Sequence, residues 1–136
     1  MPNKYREYFD IDENYFPCID EAAINAGAPW KNTYPHSTFI NMLIEMELAL
    51  ARQNNGKTLW IEGAYGTGKS QCVYALRKIL EVPETELREY WSIYEPLKKK
   101  TDLLKKLIGH KTKGIVVAHR YAAGSIMSAR DLFSAI

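Results

Sequence analysis

Residues 37–50 place their apolar side chains at the spacing of an α-helix. The apolar face comprises Phe39, Met42, Leu43, Met46 and Leu50. This period predicts a largely buried helix, and Ser37 is placed to cap its N-terminus. Residues 72–80 show the same period and predict a second, amphipathic helix that Pro83 ends. The apolar face of that second helix comprises Cys72, Val73, Leu76, Ile79 and Leu80.

Three further stretches have helical character. Residues 21–26 fit a short helix that Gly27 ends. Residues 84–109 fit a longer helical region that is interrupted at Pro96, because proline cannot continue a helix ladder. Near the end of the chain, a capping-box pattern that begins at Ser128 predicts the start of a last helix.

Two short apolar runs predict β-strands. Residues 58–62 read Thr-Leu-Trp-Ile-Glu, and residues 114–121 contain the unbroken run Ile-Val-Val-Ala. Such an unbroken run is typical of a strand that is covered on both faces in a parallel sheet. The order of elements therefore predicts an α/β fold with parallel β-strands, flanking helices and a helical N-terminal extension.

A glycine-rich loop joins the first predicted strand to the second helix. It reads Gly63, Ala64, Tyr65, Gly66, Thr67, Gly68, Lys69 and Ser70, which fits the pattern G-x-x-x-x-G-K-[ST]. Glycines let backbone N–H groups curl around a phosphate, and the helix that follows adds the positive end of its dipole. The sequence therefore predicts a site for a purine nucleoside triphosphate with Mg²⁺, either ATP or GTP.

The loop pattern assigns a role to each of its residues. The predicted nucleotide-binding residues are Gly63, Ala64, Tyr65, Gly66, Thr67, Gly68, Lys69, Ser70 and Gln71. The ammonium of Lys69 is expected to span the β- and γ-phosphates, which makes it the predicted catalytic residue. The hydroxyl of Ser70 is the predicted Mg²⁺ ligand.

Residues 66–70, with Gly63 ahead of them, resemble the Walker A motif of the P-loop NTPase superfamily. The Gly-Thr-Gly-Lys-Ser form is common in its AAA+ and STAND-type ATPases, and a helix directly ahead of the Walker A strand is similar to those groups. The resemblance implies a partial P-loop NTPase fold over residues 36–136, behind an extension over residues 1–35, with ATP and Mg²⁺ as cofactors. The chain further resembles the front end of large bacterial ATPases, including some linked to defence against phage.

The chain departs from that superfamily because it has no Walker B acid, which these enzymes need for hydrolysis. The predicted strand over residues 115–118 runs into His119, and Glu62 lies ahead of the loop rather than on a later strand. The chain also stops at Ile136, soon after a predicted helix begins. We therefore expect an ATP-binding fragment of a larger ATPase that does not hydrolyse ATP alone.

Two alternatives to an ATPase module share the same loop. A small-molecule or nucleotide kinase would need a phosphoacceptor site and a lid, and 62 residues precede the loop where such kinases usually place few. A non-catalytic module would use the nucleotide only to organise an interaction surface. Phosphate transfer to a small acceptor favours the first alternative, and absence of turnover in the complete gene product favours the second.

Residues outside the loop support two further hypotheses about nucleotide binding. Tyr34, Pro35 and His36 precede the first buried helix, and the resemblance implies a pocket for the base there; a plain turn that positions the helix is the other interpretation. Arg120 follows a predicted parallel strand, whose carboxyl end faces the ligand crevice in such folds, and is either a phosphate sensor or a solvated strand end.

Composition and charge narrow the class of protein. No run approaches the length of a membrane span, and no secretory signal opens the chain, so a cytoplasmic, membrane-free setting is expected. The net charge of +2 conceals a strongly basic stretch. Its lysines are Lys98, Lys99, Lys100, Lys105, Lys106, Lys111 and Lys113. They are candidates for contact with nucleic acid or another copy of the chain, or they form the solvated face of an amphipathic helix.

Overall fold

The computed structural model describes residues 19–52 and 58–117, and every regular element in those residues is helical. The elements are α1 (Glu21–Asn25), a 3₁₀ turn (Trp30–Asn32), α2 (Ser37–Leu50), α3 (Lys69–Glu81), α4 (Glu84–Ile93), α5 (Glu95–Lys98) and α6 (Thr101–Lys111). Within the described residues, no helix has the length and apolarity that crossing a membrane requires.

The predicted α/β fold is wrong for the described residues, because neither predicted strand is present in them. Residues 58–62 and residues 115–117 do not form strands. Trp60 is 79% exposed and Val116 is 78% exposed. A strand is stable only when its backbone groups pair with a neighbouring strand, and the described residues provide no such neighbour. A helical architecture therefore replaces the partial P-loop NTPase fold with its parallel strands.

The helix predictions agree with the structure over most of the described chain. The period over residues 37–50 corresponds to α2, and the predicted interruption at Pro96 corresponds to a break at Tyr94, with Pro96 in the first turn of α5. The further break between α5 and α6 was not predicted. The cap of α2 is not Ser37 but His36, whose Nδ1 accepts a hydrogen bond from the N–H of Phe39 at 3.2 Å. An imidazole nitrogen thus takes the place of the hydroxyl that capping preferences favour. The helix predicted from Ser128 lies outside the described residues.

One hydrophobic core joins the helices. The largest fully buried side chains are Tyr74, Tyr90, Phe39, Leu43, Ile79, Leu87, Leu97, Leu107 and Pro35. Helix α2 packs against α6, α4 packs against α5 and α6, and α3 packs against the 3₁₀ turn. The face of α3 differs slightly from its predicted one, because Tyr74 and Ala75 are buried whereas Val73 is exposed.

Three tyrosine hydroxyls hold the segment between α1 and α2 against the helices. The hydrogen bonds run from Tyr74 to the carbonyl of Ala28 (3.0 Å), from Tyr90 to the carbonyl of Thr33 (2.7 Å) and from Tyr94 to the carbonyl of Lys31 (2.8 Å). Burial raises the pKa of Tyr90 far above its usual value, so its hydroxyl keeps the proton it donates. The same segment is thereby fixed beside α3, whose N-terminus carries the glycine-rich loop.

Candidate functional site

The glycine-rich loop leads directly into α3, and two of its glycines have a backbone conformation that favours glycine. Gly66 has φ +80° and Gly68 has φ +78°, both in the left-handed region. Gly68 is also the N-cap of α3, and it provides no side chain to cap the helix N–H groups. The loop therefore turns sharply into the helix and leaves the first turn of α3 uncovered.

Gly63 is required for a different reason, namely a close approach across the loop. A Cβ atom added at Gly63 would lie 2.9 Å from Oγ1 of Thr67. That hydroxyl in turn donates a hydrogen bond to the carbonyl oxygen of Ala64 at 2.8 Å. The absence of a side chain at Gly63 thus allows the loop to close on itself.

The ammonium group of Lys69 lies inside this closed loop. Its Nζ donates to the carbonyl oxygens of Gly63 at 2.7 Å and Ala64 at 2.5 Å, and lies 3.4 Å from Oγ1 of Thr67. An ammonium has three donors and no acceptor. The first residues of the motif therefore hold the positive charge of Lys69 within the loop, and its predicted role at a phosphate stays a prediction.

The backbone N–H groups of the loop have no protein partner in the described part of the chain. None of the N–H groups of residues 64–71 donates a hydrogen bond to a described residue, and the first such donor is the N–H of Cys72, which bonds the carbonyl of Gly68 at 2.9 Å. Residues 62–68 and Ser70 are exposed. A curl of unpaired donors at a helix N-terminus attracts anions, because the helix dipole adds to the partial charges of the amides.

Ser70 and Tyr65 are both accessible, but in different surroundings. Within residues 19–52 and 58–117, the hydroxyl of Ser70 has no hydrogen-bond partner, so it is free to bind a cation next to a phosphate. Tyr65 is fully exposed at the tip of the loop. The ring of Tyr65 therefore points away from the loop, and only its backbone contributes to the loop.

Gln71 connects the first turn of α3 to the segment before α2. Its Nε2 donates to Oγ1 of Thr33 at 2.6 Å, and Thr33 is buried. The side chain of Gln71 is therefore occupied, whereas its backbone N–H belongs to the unpaired set. This contact joins two residues that are 38 positions apart, and no sequence motif indicates it.

The contact between Gln71 and Thr33 places the proposed base-pocket residues near the same end of α3. Tyr34 is exposed, and its ring meets that of Tyr94 edge-on at 5.6 Å between centroids. Pro35 is buried, and the ring of His36 caps α2 as described above. Tyr34 and His36 are therefore both exposed, and only Pro35 of the three is buried.

An apolar cleft of about 260 Å³ opens beside the loop. It is lined by Ile19, Ile24, Ile61, Val73 and Tyr74, with Lys69 and Ser70 at its polar end. The cleft lies on the side of α3 where Val73 is exposed. The sequence does not predict this cleft, because its wall combines residues that are distant in the chain. They come from the segment ahead of α1, from α1, from the segment ahead of the loop and from α3.

The described residues contain no group of three or more histidine, cysteine or acidic side chains that is placed to hold a metal ion. Glu62 is exposed immediately ahead of the loop. His119 and Arg120 lie outside the described residues. Cys72 is buried, and burial raises the pKa of its thiol, so this cysteine belongs to the core as expected.

Comparisons of the chain with protein-family models, with curated proteins and with solved structures find no match.

Proposed function

We propose that this chain binds the triphosphate of a purine nucleotide, with Mg²⁺, in the loop over residues 63–70. The observation that carries the proposal is the position of the Lys69 ammonium, which bonds the carbonyls of Gly63 and Ala64 inside a loop whose own N–H groups have no partner among the described residues. The proposal identifies the loop as a Walker A motif by function, although no strand precedes it in the described residues.

Electrostatics favours a polyphosphate over a neutral ligand. The loop combines one full positive charge with a row of unpaired amide donors at a helix N-terminus, and each feature stabilises negative charge. Because Nζ of Lys69 donates to the carbonyls of Gly63 and Ala64, it exchanges at least one of these hydrogen bonds for a phosphate oxygen when the ligand binds. A single ammonium with several amides is suited to two adjacent phosphates rather than to one carboxylate.

Mg²⁺ would be held through the nucleotide and the hydroxyl of Ser70. Mg²⁺ is commonly bound by few protein groups together with substrate phosphates and water, so the absence of an acidic cluster in the described residues is compatible with this assignment. Bound Mg²⁺ neutralises phosphate charge and orients the triphosphate. Ser70 is exposed and adjoins Lys69, which suits this role.

The proposed activity is binding rather than hydrolysis. Hydrolysis would require a group that orients water at the γ-phosphate, and the loop itself supplies only donors and an ammonium. The chain is proposed as the nucleotide-binding part of an ATPase, with turnover dependent on groups beyond this loop. Slow or absent ATP turnover together with saturable ATP binding is the expected behaviour of the isolated chain.

Titration with a fluorescent ATP analogue tests the proposal. We expect Lys69→Ala to weaken binding by about 100-fold or more, since a hydrogen bond to a charged group contributes about 1.5–3 kcal/mol and at least two are lost. The circular dichroism spectrum and melting temperature should change little, because the loop is exposed. Removal of Mg²⁺ by a chelator should also weaken binding of the triphosphate.

Arg88→Ala is the matched control, because it removes one positive charge from an exposed basic side chain outside the loop. Its nucleotide affinity should remain that of the unaltered chain. If Lys69→Ala binds the analogue as tightly as the control does, the assignment of the loop as the triphosphate site is wrong.

A further inference from the structure

The region from α5 to the end of α6 is strongly basic. Residues 95–113 carry seven lysines against two acids, Glu95 and Asp102, which gives a net charge of +5 with His110 neutral. By contrast, α4 on the preceding part of the chain carries three glutamates against Arg88. Charge is therefore separated between neighbouring helices, and the sequence alone does not say which lysines face solvent.

The structure assigns three of the seven lysines to contacts within the protein. Lys111 donates to two carbonyl oxygens at the end of α3, at 2.8 and 2.9 Å. Lys106 lies 3.7 Å from the buried carboxylate of Glu47, and Lys98 pairs with Glu95 at 2.5 Å. These three positive charges are at least partly compensated.

The other four lysines form an exposed group that we call the lysine ridge: Lys99, Lys100, Lys105 and Lys113. Lys99, Lys100 and Lys113 have no ion-pair partner among the described residues, and Lys105 lies 3.9 Å from Asp102, which is 90% exposed. A pair this long and this exposed leaves the ammonium available to another anion.

The ridge extends along α6 and beyond both of its ends. Lys105 lies within α6, Lys99 and Lys100 lie directly ahead of that helix, and Lys113 lies two residues after it. At 1.5 Å per residue, the 11 residues of α6 span about 16 Å, which corresponds to about five phosphates along one strand of a duplex. The opposite face of α6 is buried in the core through Leu103, Leu104 and Leu107.

Gly109 is exposed on α6, one turn after Lys105 and four residues before Lys113. A Cβ atom there would meet nothing within 4 Å, and its φ is not in the left-handed region. Neither packing nor backbone conformation therefore requires a glycine, although glycine destabilises a helix interior relative to alanine. A bare backbone at this position permits close approach by a ligand that lies across the helix.

We propose that the lysine ridge binds the sugar–phosphate backbone of nucleic acid without reading its sequence. Exposed lysines without a close ion-pair partner, on α6 and at both of its ends, fit a row of phosphates, and such binding is driven by counterion release. A membrane surface fits less well, because membrane-bound amphipathic helices insert apolar side chains, and the leucines of α6 are already buried in the core. The proposal does not depend on nucleotide binding at the loop.

Fluorescence anisotropy tests the proposal at salt concentrations between about 50 and 200 mM. It uses two labelled probes, a DNA duplex of about 20 base pairs and a single-stranded RNA of similar length. Four phosphate contacts predict a slope of about −3.6 in log affinity against log salt, hence a loss of about 150-fold over that range for a duplex. Lys105→Glu should weaken binding and reduce the magnitude of the slope by about 1. The two probes distinguish DNA from RNA as the source of the phosphates.

Arg88→Glu is the matched control for Lys105→Glu. Both reverse one exposed basic side chain that has an acidic neighbour on its own helix, and only Lys105 belongs to the ridge. The control should keep the affinity and the salt slope of the unaltered chain. Lys69→Ala should also keep them, which separates this proposal from nucleotide binding at the loop.

Three results would overturn the proposal: no binding to either probe at the lower salt, equal weakening by Arg88→Glu and Lys105→Glu, or equal affinity for polyglutamate of similar length. Gly109→Gln sharpens the test, because glutamine favours the helix but fills the gap between the lysines. Several-fold weaker binding by a more stable Gly109→Gln chain supports a backbone that crosses α6 there. Unchanged affinity contradicts that placement.

Discussion

The two ends of α3 differ in how their unpaired backbone groups are satisfied. At the N-terminal end, the N–H groups of residues 64–71 have no partner among the described residues. At the C-terminal end, the N–H of Val82 bonds the carbonyl of Lys78 at 2.9 Å, and Nζ of Lys111 bonds the carbonyls of Ile79 and Leu80 at 2.8 and 2.9 Å. The side chain of Lys111, at the end of α6, thus caps the C-terminus of α3.

Every helix leaves four donors at one end and four acceptors at the other. In α3, Lys111 satisfies acceptors and ties α6 to α3, whereas Lys69 bonds loop carbonyls and adds charge beside the unpaired donors. A lysine therefore acts as a structural cap at the C-terminal end of α3, and another lysine adds positive charge to the proposed anion site at the N-terminal end. The end without caps is the end where we place the ligand.

Removal of the cap at the carbonyl end should have the largest effect on stability. We expect Lys111→Met to lower the free energy of unfolding by about 1.5–3 kcal/mol, because two carbonyls lose a charged donor. Partial burial lowers the pKa of Lys111, which shows that desolvation offsets part of this gain. Urea unfolding measures the change, and nucleotide affinity should be unaffected.

Lys113→Met serves as its control, since Lys113 is exposed two residues further on and should tolerate the change within about 0.5 kcal/mol. A loss of stability in Lys113→Met equal to that in Lys111→Met would show that the cap at the carbonyl end does not stabilise α3.

A smaller effect is expected at the loop end from Gly68→Ala. Alanine is strained at the φ of +78° by about 1–2 kcal/mol. If the loop relaxes to relieve that strain, nucleotide affinity should fall about 5- to 30-fold. Gly109→Ala is the matched change at a helical φ, and should raise stability by about 0.5–1 kcal/mol without altering nucleotide affinity. Equal nucleotide affinities for the two variants would contradict the role of the Gly68 conformation.

Local patterns in the sequence predicted the helices and the loop well. The apolar period of residues 37–50 and the proline at Pro96 act through nearby residues, so α2 and the break after α4 could be foreseen. The glycine pattern likewise predicted where the backbone turns, and Gly66 and Gly68 have the positive φ values that glycine tolerates.

Features that depend on distant partners could not be predicted in this way. The apolar residues of 58–62 favour a strand, but strand propensity is expressed only beside another strand, and Trp60 instead is exposed. The contact between Gln71 and Thr33 joins residues that are 38 positions apart. Lys111 caps α3 at carbonyls that are 31 and 32 positions away. A single sequence carries no periodic pattern for such pairs.

Amide chemical shifts recorded during a titration with Mg-ATP test the central claim most directly. The account predicts that the backbone N–H signals of residues 64–71 shift and saturate together, while those of residues 79–82 at the capped end of α3 stay in place. Saturable shifts confined to other parts of the chain, or none at all, would contradict the claim that the uncapped end of α3 is the triphosphate site.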